Sequence, residues 1–310
     1  MNYSCHTRLA IYQTRLPLLI SFAVLALLSG VASGQQTQVI LLGTGTPYPD
    51  PHASGPATAV TFGDRVFLFD AGAGLMRQVN AAGLPISGPE AVFITHLHSD
   101  HTLGYPDLIL TSWIMRRARP LEVYGPLGLK RMTRLLLEAF SEDIEIRTTG
   151  LERELRGAYR VNVHEIFQNV VYQKDGVRVT AIPVPHGSWR EAYAYRIDTP
   201  DRSIVISGDT RPSNALIAAA KGVDVLVHEV YIAARIKPED RPGGEYWPQY
   251  MREFHTSEIE LGAIAARAKP KLLLLTHIIR SGGTDEELLA GVRKSGFTGQ
   301  VVVGKDLGRY

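Results

Sequence analysis

Residues 92–104 read "VFITHLHSDHTLG", and three of the 10 histidines in the chain fall there beside an aspartate. Imidazole and carboxylate are ordinary ligands of divalent first-row metals, and so dense a group is more than a solvated polar loop requires. His96 and His98 differ by two positions, which places both on one side of an extended segment. Asp100 and His101 follow as the chain turns toward a helix, so they face a second point close by.

Such a group needs strands to carry it. "VFIT" runs into His96, "VTAIPVP" into His186, "SIVISG" into Asp209, "DVLV" into His228 and Glu229, and "KLLLLT" into His277. One histidine after a strand is ordinarily a hydrogen-bonded structural residue; the repetition argues otherwise. If these strands lie roughly parallel, their polar groups converge along one sheet edge, where α/β proteins place ligands. A hairpin turns at Gly63-Asp64, a helix follows His101, and another covers 128–140 with apolar residues at helical spacing. "SNALIAAAKG" and "TSEIELGAIAARAK" are also helical. The pattern is mixed α/β with strands covered on both faces, in one domain over 35–310. Two segments read as insertions. Residues 141–173 are polar and irregular, and 237–254 combine prolines, paired glycines and aromatics in a surface loop or substrate lid.

"THLHSDH", then His186, "SGDT" at 207–210 and "LTH" at 275–277, resemble the metallo-β-lactamase superfamily in motif and order. The resemblance covers nearly all of 38–310 and implies a four-layer αβ/βα sandwich with two metals between the sheets. Carried over, one metal would take His96, His98 and His186, and the other Asp100, His101 and His277, with Asp209 bridging. Five imidazoles and two carboxylates without thiolate suit two Zn²⁺ per chain, with Mn²⁺ or Fe as alternatives. Two such ions bring the pKa of a shared water toward about 7 and supply metal-bound hydroxide for ester hydrolysis. Asp209, Asp100 and His255 would then act in catalysis. His255 resembles a residue contacting the anionic ester or leaving group; its bland alternative is a histidine at a helix start capped by Thr256 or Ser257. His228 and Glu229 orient the site from behind, and Asp70 in "FDAG" supports the metal loop.

"LLGTGTPYPDP", "YGPLGL", "SGDTRPS", "VHEVYI" and "FHTSEIELGAIAARAKPKLLLLTH" are most similar to the ribonuclease Z-like branch, which includes arylsulfatases. Members acting on tRNA generally carry a long basic arm, and "HGSWREAYAYRIDTPDRSIVISGDT" leaves no room for one between the His186 strand and "GDT". The expectation is therefore a hydrolase of small anionic esters, arylsulfate first, closest to exported arylsulfatase-like members. Phosphodiesterase or ribonuclease Z-like endoribonuclease is the alternative. Arg211, Trp189, Tyr246 and Trp247 are candidates for binding the anion and aryl group. A non-catalytic metal-binding protein on the same fold would lose ligands, and all seven positions are filled. Flavin-linked diiron electron transfer would need a fused domain that the length excludes. A homodimer stays open, with 141–173 as a candidate contact.

Composition is ordinary for a globular chain, 45% hydrophobic and 21% charged over 310 residues. Residues 1–15 hold Arg8 and Arg15 and no acid, and "LPLLISFAVLALLSGVASG" follows, apolar and then small. That order is a signal peptide over 1–34, cleaved near Ala32–Gly34, with a retained anchor as the alternative. The expected location is periplasmic or secreted, with membrane contact only through this segment. The formal charge of +2 equals the two leader arginines, so the processed chain is near neutral, and nucleic acid is not an expected partner. Cys5, the only cysteine, leaves with the leader, which excludes disulfides and thiolate ligands from the remainder.

Overall fold

The computed structural model describes Met1 and residues 36–310 apart from 154, 155 and 168. The expected leader, including Cys5, lies outside the described residues. Two mixed sheets carry the remainder. The first runs β1 (Thr37–Gly43), β2 (Ala57–Phe62), β3 (Arg65–Phe69), β4 (Ala91–Phe93), β5 (Leu121–Gly125), β6 (Val161–Glu165), in that spatial order. The second holds β7 (Val170–Lys174), β8 (Val177–Pro183), β9 (Tyr193–Asp198), β10 (Ser203–Ile206), β11 (Val225–Tyr231), β12 (Leu272–Ile279) and β13 (Gln300–Val303), each beside the next.

Alternation along the strands explains the layers. Val39 and Leu41 of β1, Phe67 and Phe69 of β3, Ile204 and Ile206 of β10 and Leu274 of β12 form the core between the sheets. Their neighbours point the other way. Ile40, Leu42, Val66 and Leu68 pack under α1 (Leu75–Ala81), α3 (Tyr105–Ile114) and α4 (Leu129–Ala139). Val205, Leu273 and Leu275 pack under α6 (Asn214–Ala219), α8 (Glu258–Ala268) and α9 (Asp285–Lys294). A strand buried on both faces must be apolar at every position, which is why these segments read as unbroken runs. The result is a four-layer αβ/βα sandwich.

Strand direction sets up the site. β10, β11 and β12 are mutually parallel, and β8, antiparallel to β9, which is itself antiparallel to β10, runs the same way. The segments expected to carry His186, Asp209, Glu229 and His277 therefore share one direction. Two strands continue past their expected ends: β11 runs on to Tyr231 and β12 to Ile279.

The expectation of an irregular 141–173 segment is corrected. It folds as α5 (Ser141–Thr149) followed by β6 and the start of β7, which are the edge strands of the two sheets. Edge strands are half exposed and carry polar residues, as in "VNVHE", so their hydrophobic signal is weak. Residues 247–254 of the second insertion form helix α7 (Trp247–Phe254). Among the described residues no helix is long and apolar enough to cross a membrane.

Candidate metal centre

The parts of the centre come from the edges of both sheets. β4 ends at Phe93 and delivers buried His96; His98 then stands at the N-terminus of α2 (Ser99–Thr102), which carries Asp100 and His101. His186 follows β8 and Asp209 follows β10, reached through Gly208 at φ 56°. A Cβ on Gly208 would come within 2.8 Å of Thr95, so glycine is required there on two counts. His277 lies inside β12, at φ 44°, where the pairing with β11 slips by one residue between Glu229 and Val230. This β-bulge re-aims the imidazole out of the sheet's alternation.

Two groups of donor atoms result. In one, His96 Nε2 lies 2.9 Å from His98 Nδ1, and His186 Nε2 lies 3.2 Å from that same nitrogen. In the other, Asp100 Oδ2 is 3.6 Å from His101 Nε2 and 3.7 Å from His277 Nε2. Asp209 stands between them: Oδ2 is 3.9 Å from His96 Nε2 and 3.2 Å from His277 Nε2, and Oδ1 is 3.3 Å from His101 Nε2. His96, His98, His186 and Asp209 form one potential ion-holding group, and Asp100, His101 and His277 the other.

The surroundings fix which nitrogen of each ring is free. His186 Nδ1 donates to the Phe254 carbonyl (2.7 Å), His277 Nδ1 to the Gly45 carbonyl (2.7 Å) and His101 Nδ1 to Asp70 Oδ2 (2.8 Å). The Thr95 hydroxyl donates to Asp70 (2.9 Å), so it accepts from His96 Nδ1, 2.9 Å away. In all four rings Nε2 is left facing the centre, the second-partner arrangement typical of metal-binding histidines. His101 Nε2, Asp100 Oδ2 and Asp209 Oδ1 are buried without a hydrogen-bond partner, which a bound cation would satisfy. The donor set fits a pair of divalent ions. His98 is the exception: Trp189 Nε1 donates to its Nε2 at 2.7 Å, which puts the proton on Nδ1, the nitrogen facing the group.

Charge is divided between the two groups. Burial, aided by neighbouring imidazoles, holds His96 well below its usual pKa, and burial brings His98 and His186 down to about 4. These rings are neutral, and His96 and His186 are ready to ligate. Burial also opposes charge on His101 and His277, but the Asp209 carboxylate outweighs it in both, helped by Asp70 for His101. His101 is held well above its usual value and His277 near 9. Burial pushes Asp209 upward, but His277 and His101 outweigh it and hold the carboxyl well below the usual carboxylate range. Protons thus sit where a cation would.

Glu229 and His255 form a further pair behind Asp209. Glu229 Oε1 accepts from the Thr210 and Thr256 amides at 3.2 and 3.0 Å, and Oε2 lies 3.4 Å from His255 Nδ1. Burial and the Asp209 charge raise Glu229 well above the usual carboxylate range, while burial lowers His255 to about 4. His255 ends α7, and the cap of α8 is Ser257 in a capping box with Glu260. His228 is one residue along β11 from Glu229 and so points to the opposite face; its Nδ1 donates to the Glu229 carbonyl (2.6 Å).

A cleft of about 1160 Å³ opens over the centre, lined by His98, Asp100, Asp209, His255 and His277 together with Trp247 and Tyr250. Trp189 touches His98, whereas Arg211 and Tyr246 do not line this cleft. Sequence reasoning missed Thr95, Tyr250 and the carbonyls of Gly45 and Phe254. Thr95 was findable, standing between an apolar run and His96; backbone acceptors leave no residue-type signal.

Residues 65–278 match the Beta-lactamase superfamily domain. The ribonuclease Z of Mycobacterium bovis (strain BCG / Pasteur 1173P2) is 34% identical over 279 residues, 88% of this chain and 97% of that protein. Among solved structures, human tRNase Z, short form, is similar with a TM-score of 0.67 at 21% identity, covering 88% of this chain and 98% of that one. The metallo-beta-lactamase fold protein YhfI from Bacillus subtilis gives 0.65 at 18%, with 88% and 98% covered.

These relatives overturn the expectation of a small anionic ester, arylsulfate first, with nucleic acid not an expected partner, and favour the ribonuclease Z-like alternative. The missing arm carried that expectation, yet an alignment of 279 residues taking in 88% of this chain and 97% of a ribonuclease Z leaves no long insertion between the two. Net charge misled as well, because phosphates meet individual lysines and arginines and not the sum over the chain. With residues 65–278 matched to the superfamily domain and a ribonuclease Z 34% identical over 88% of this chain, the chain belongs to the beta-lactamase superfamily and, within it, to the ribonuclease Z family.

Proposed function

We propose that this chain is a metal-dependent endoribonuclease that hydrolyses RNA phosphodiesters. The observation that carries the reading is a complete set of seven donors in a chain 34% identical to a ribonuclease Z over nearly its whole length. His96, His98 and His186 would hold one ion, Asp100, His101 and His277 the other, with Asp209 shared. The thiolate-free set suits zinc, with manganese or iron as competitors. When bound, two such ions make water nucleophilic at neutral pH and neutralise charge on the attacked ester.

The chain's own groups handle the protons. Asp100 would take up the proton lost by the attacking water on the carboxylate oxygen that it does not give to the ion. His255 lines the cleft with Nδ1 turned to Glu229 Oε2, 3.4 Å away. Glu229, protonated through burial beside Asp209, gives its proton to Nδ1 as the outer ring nitrogen gives one to the leaving oxygen. A non-catalytic metal protein has no use for such a buried acid–imidazole relay.

The test is a parallel assay of metal-loaded protein on precursor tRNA, a bis-aryl phosphate and an aryl sulfate. Cleavage of the RNA at a defined position, lost in Asp209→Ala, is the expected result. Turnover of the small esters with the RNA left intact would overturn the reading.

A further inference from the structure

Helix α7 carries Trp247, Tyr250 and Phe254 on one face. The Trp247 and Tyr250 rings stack at 5.4 Å and 11°, and Tyr250 and Phe254 at 4.1 Å and 14°. Phe254 is locked from another side, where a Cβ on Gly187 would come within 2.0 Å of its ring. The stack leads into the metal centre: Phe254 lies 6.4 Å from the His98 ring at 22°, and Tyr250 lies 5.9 Å from the His255 ring. A packing cluster of this kind would ordinarily be covered. Trp247 and Tyr250 are instead half exposed, and both line the cleft.

The same cleft holds a cation with donors to spare. Lys305, after β13, pairs with no carboxylate among the described residues. Arg280, after β12, is paired through Nη2 with Asp285 at 2.9 Å and its Nη1 is buried. Arg241 is likewise paired, with Glu239. At about 1160 Å³ the cleft exceeds the roughly 300–1,000 Å³ usual for small-molecule sites, and it joins a flat aromatic surface to the unneutralised ammonium of Lys305. Single-stranded nucleic acid has that composition, π-faces along a chain of phosphates.

Resting on the ribonuclease reading, we propose that Trp247, the open end of the stack and backed by Tyr250, forms a platform on which a base beside the scissile phosphodiester stacks, while Lys305 takes a neighbouring phosphate. The platform reads any base, because every base offers a π-face, and so it positions the strand without specifying sequence.

The experiment compares kcat/KM on two RNA oligonucleotides, one complete and one abasic at the nucleotides flanking the cleaved bond, for wild type, Trp247→Ala, Trp247→Phe and Tyr250→Ala. Wild type is expected to prefer the complete strand. Each alanine variant should lose about 5- to 150-fold on the complete strand, the usual range for one base–aromatic stack, and little on the abasic one. Trp247→Phe should recover most of the loss, which separates stacking from misfolding. Equal rates on the two strands in wild type, or equal losses on both in the alanine variants, would overturn the platform and leave the ribonuclease reading intact. Wild type that cleaves neither strand nor precursor tRNA would remove both.

Discussion

Protons and metal ions compete for the same nitrogens, and the two donor groups enter that competition differently. His98 and His186, lowered to about 4, are already neutral at pH 7, whereas His277, raised to about 9, holds a proton there, as does His101. The sign follows. A group with a raised pKa must be deprotonated to ligate, so affinity for the Asp100–His101–His277 ion should climb as pH rises from 7 through about 9. Affinity for the other ion should be flatter over the same window. Titration calorimetry at pH 7 in buffers of different ionisation enthalpy should show proton release for one ion and little for its neighbour; equal release would contradict this division. Glu229→Gln makes a second test. The amide keeps an oxygen for the Thr210 and Thr256 amides but cannot relay a proton, so kcat should fall about 10²- to 10⁴-fold with metal content unchanged. Trp189 adds a third. Its hydrogen bond to His98 Nε2 is compatible only with a proton on Nδ1, so metal loading must break it and change the indole's emission. A Trp189→Phe protein should lose that signal and bind the first ion at least as tightly.

At the level of elements, the residues of the candidate centre were legible because strands covered on both faces are apolar throughout, and a charged or imidazole residue where such a run stops stands out. Asp209 after "SIVISG" is of that kind. His277 is subtler: β12 continues two residues beyond it, and a bulge with left-handed backbone turns the side chain inward. No residue type announces that bulge. β6 and β7 were hidden for the opposite reason, since half-exposed edge strands tolerate Asn162, Glu165 and Lys174 and resemble loop. Gly208 shows how an element's end can carry the centre. It lets the β10 loop approach Thr95, whose hydroxyl links Asp70 to His96. Gly208→Ala puts a Cβ within 2.8 Å of Thr95 at a positive φ, and should cost about 1–3 kcal/mol of stability. Denaturant unfolding would measure it, and elemental analysis should find less bound metal, because His96 is then no longer held in place.

For the whole molecule, bulk properties were the least informative. A near-neutral total concealed Lys305, unpaired beside the cleft, and the proposed substrate class rests on relatives and not on the sum of charges. The leader is a separate question that the same chemistry can answer. Arg8 and Arg15, an apolar stretch from Leu16 and a small-residue end near Ala32–Gly34 have the order of an export signal. We propose that the chain is exported and trimmed there, so that its RNA would be met outside the cytoplasm. Cys5 provides the marker, being the only thiol in 310 residues. Protein recovered from export-competent cells should begin near residue 35 by mass spectrometry and take up no thiol reagent after denaturation. A chain that keeps Met1 and reacts once with such a reagent would mean that the segment stays attached, as an anchor that tethers the nuclease to a membrane surface.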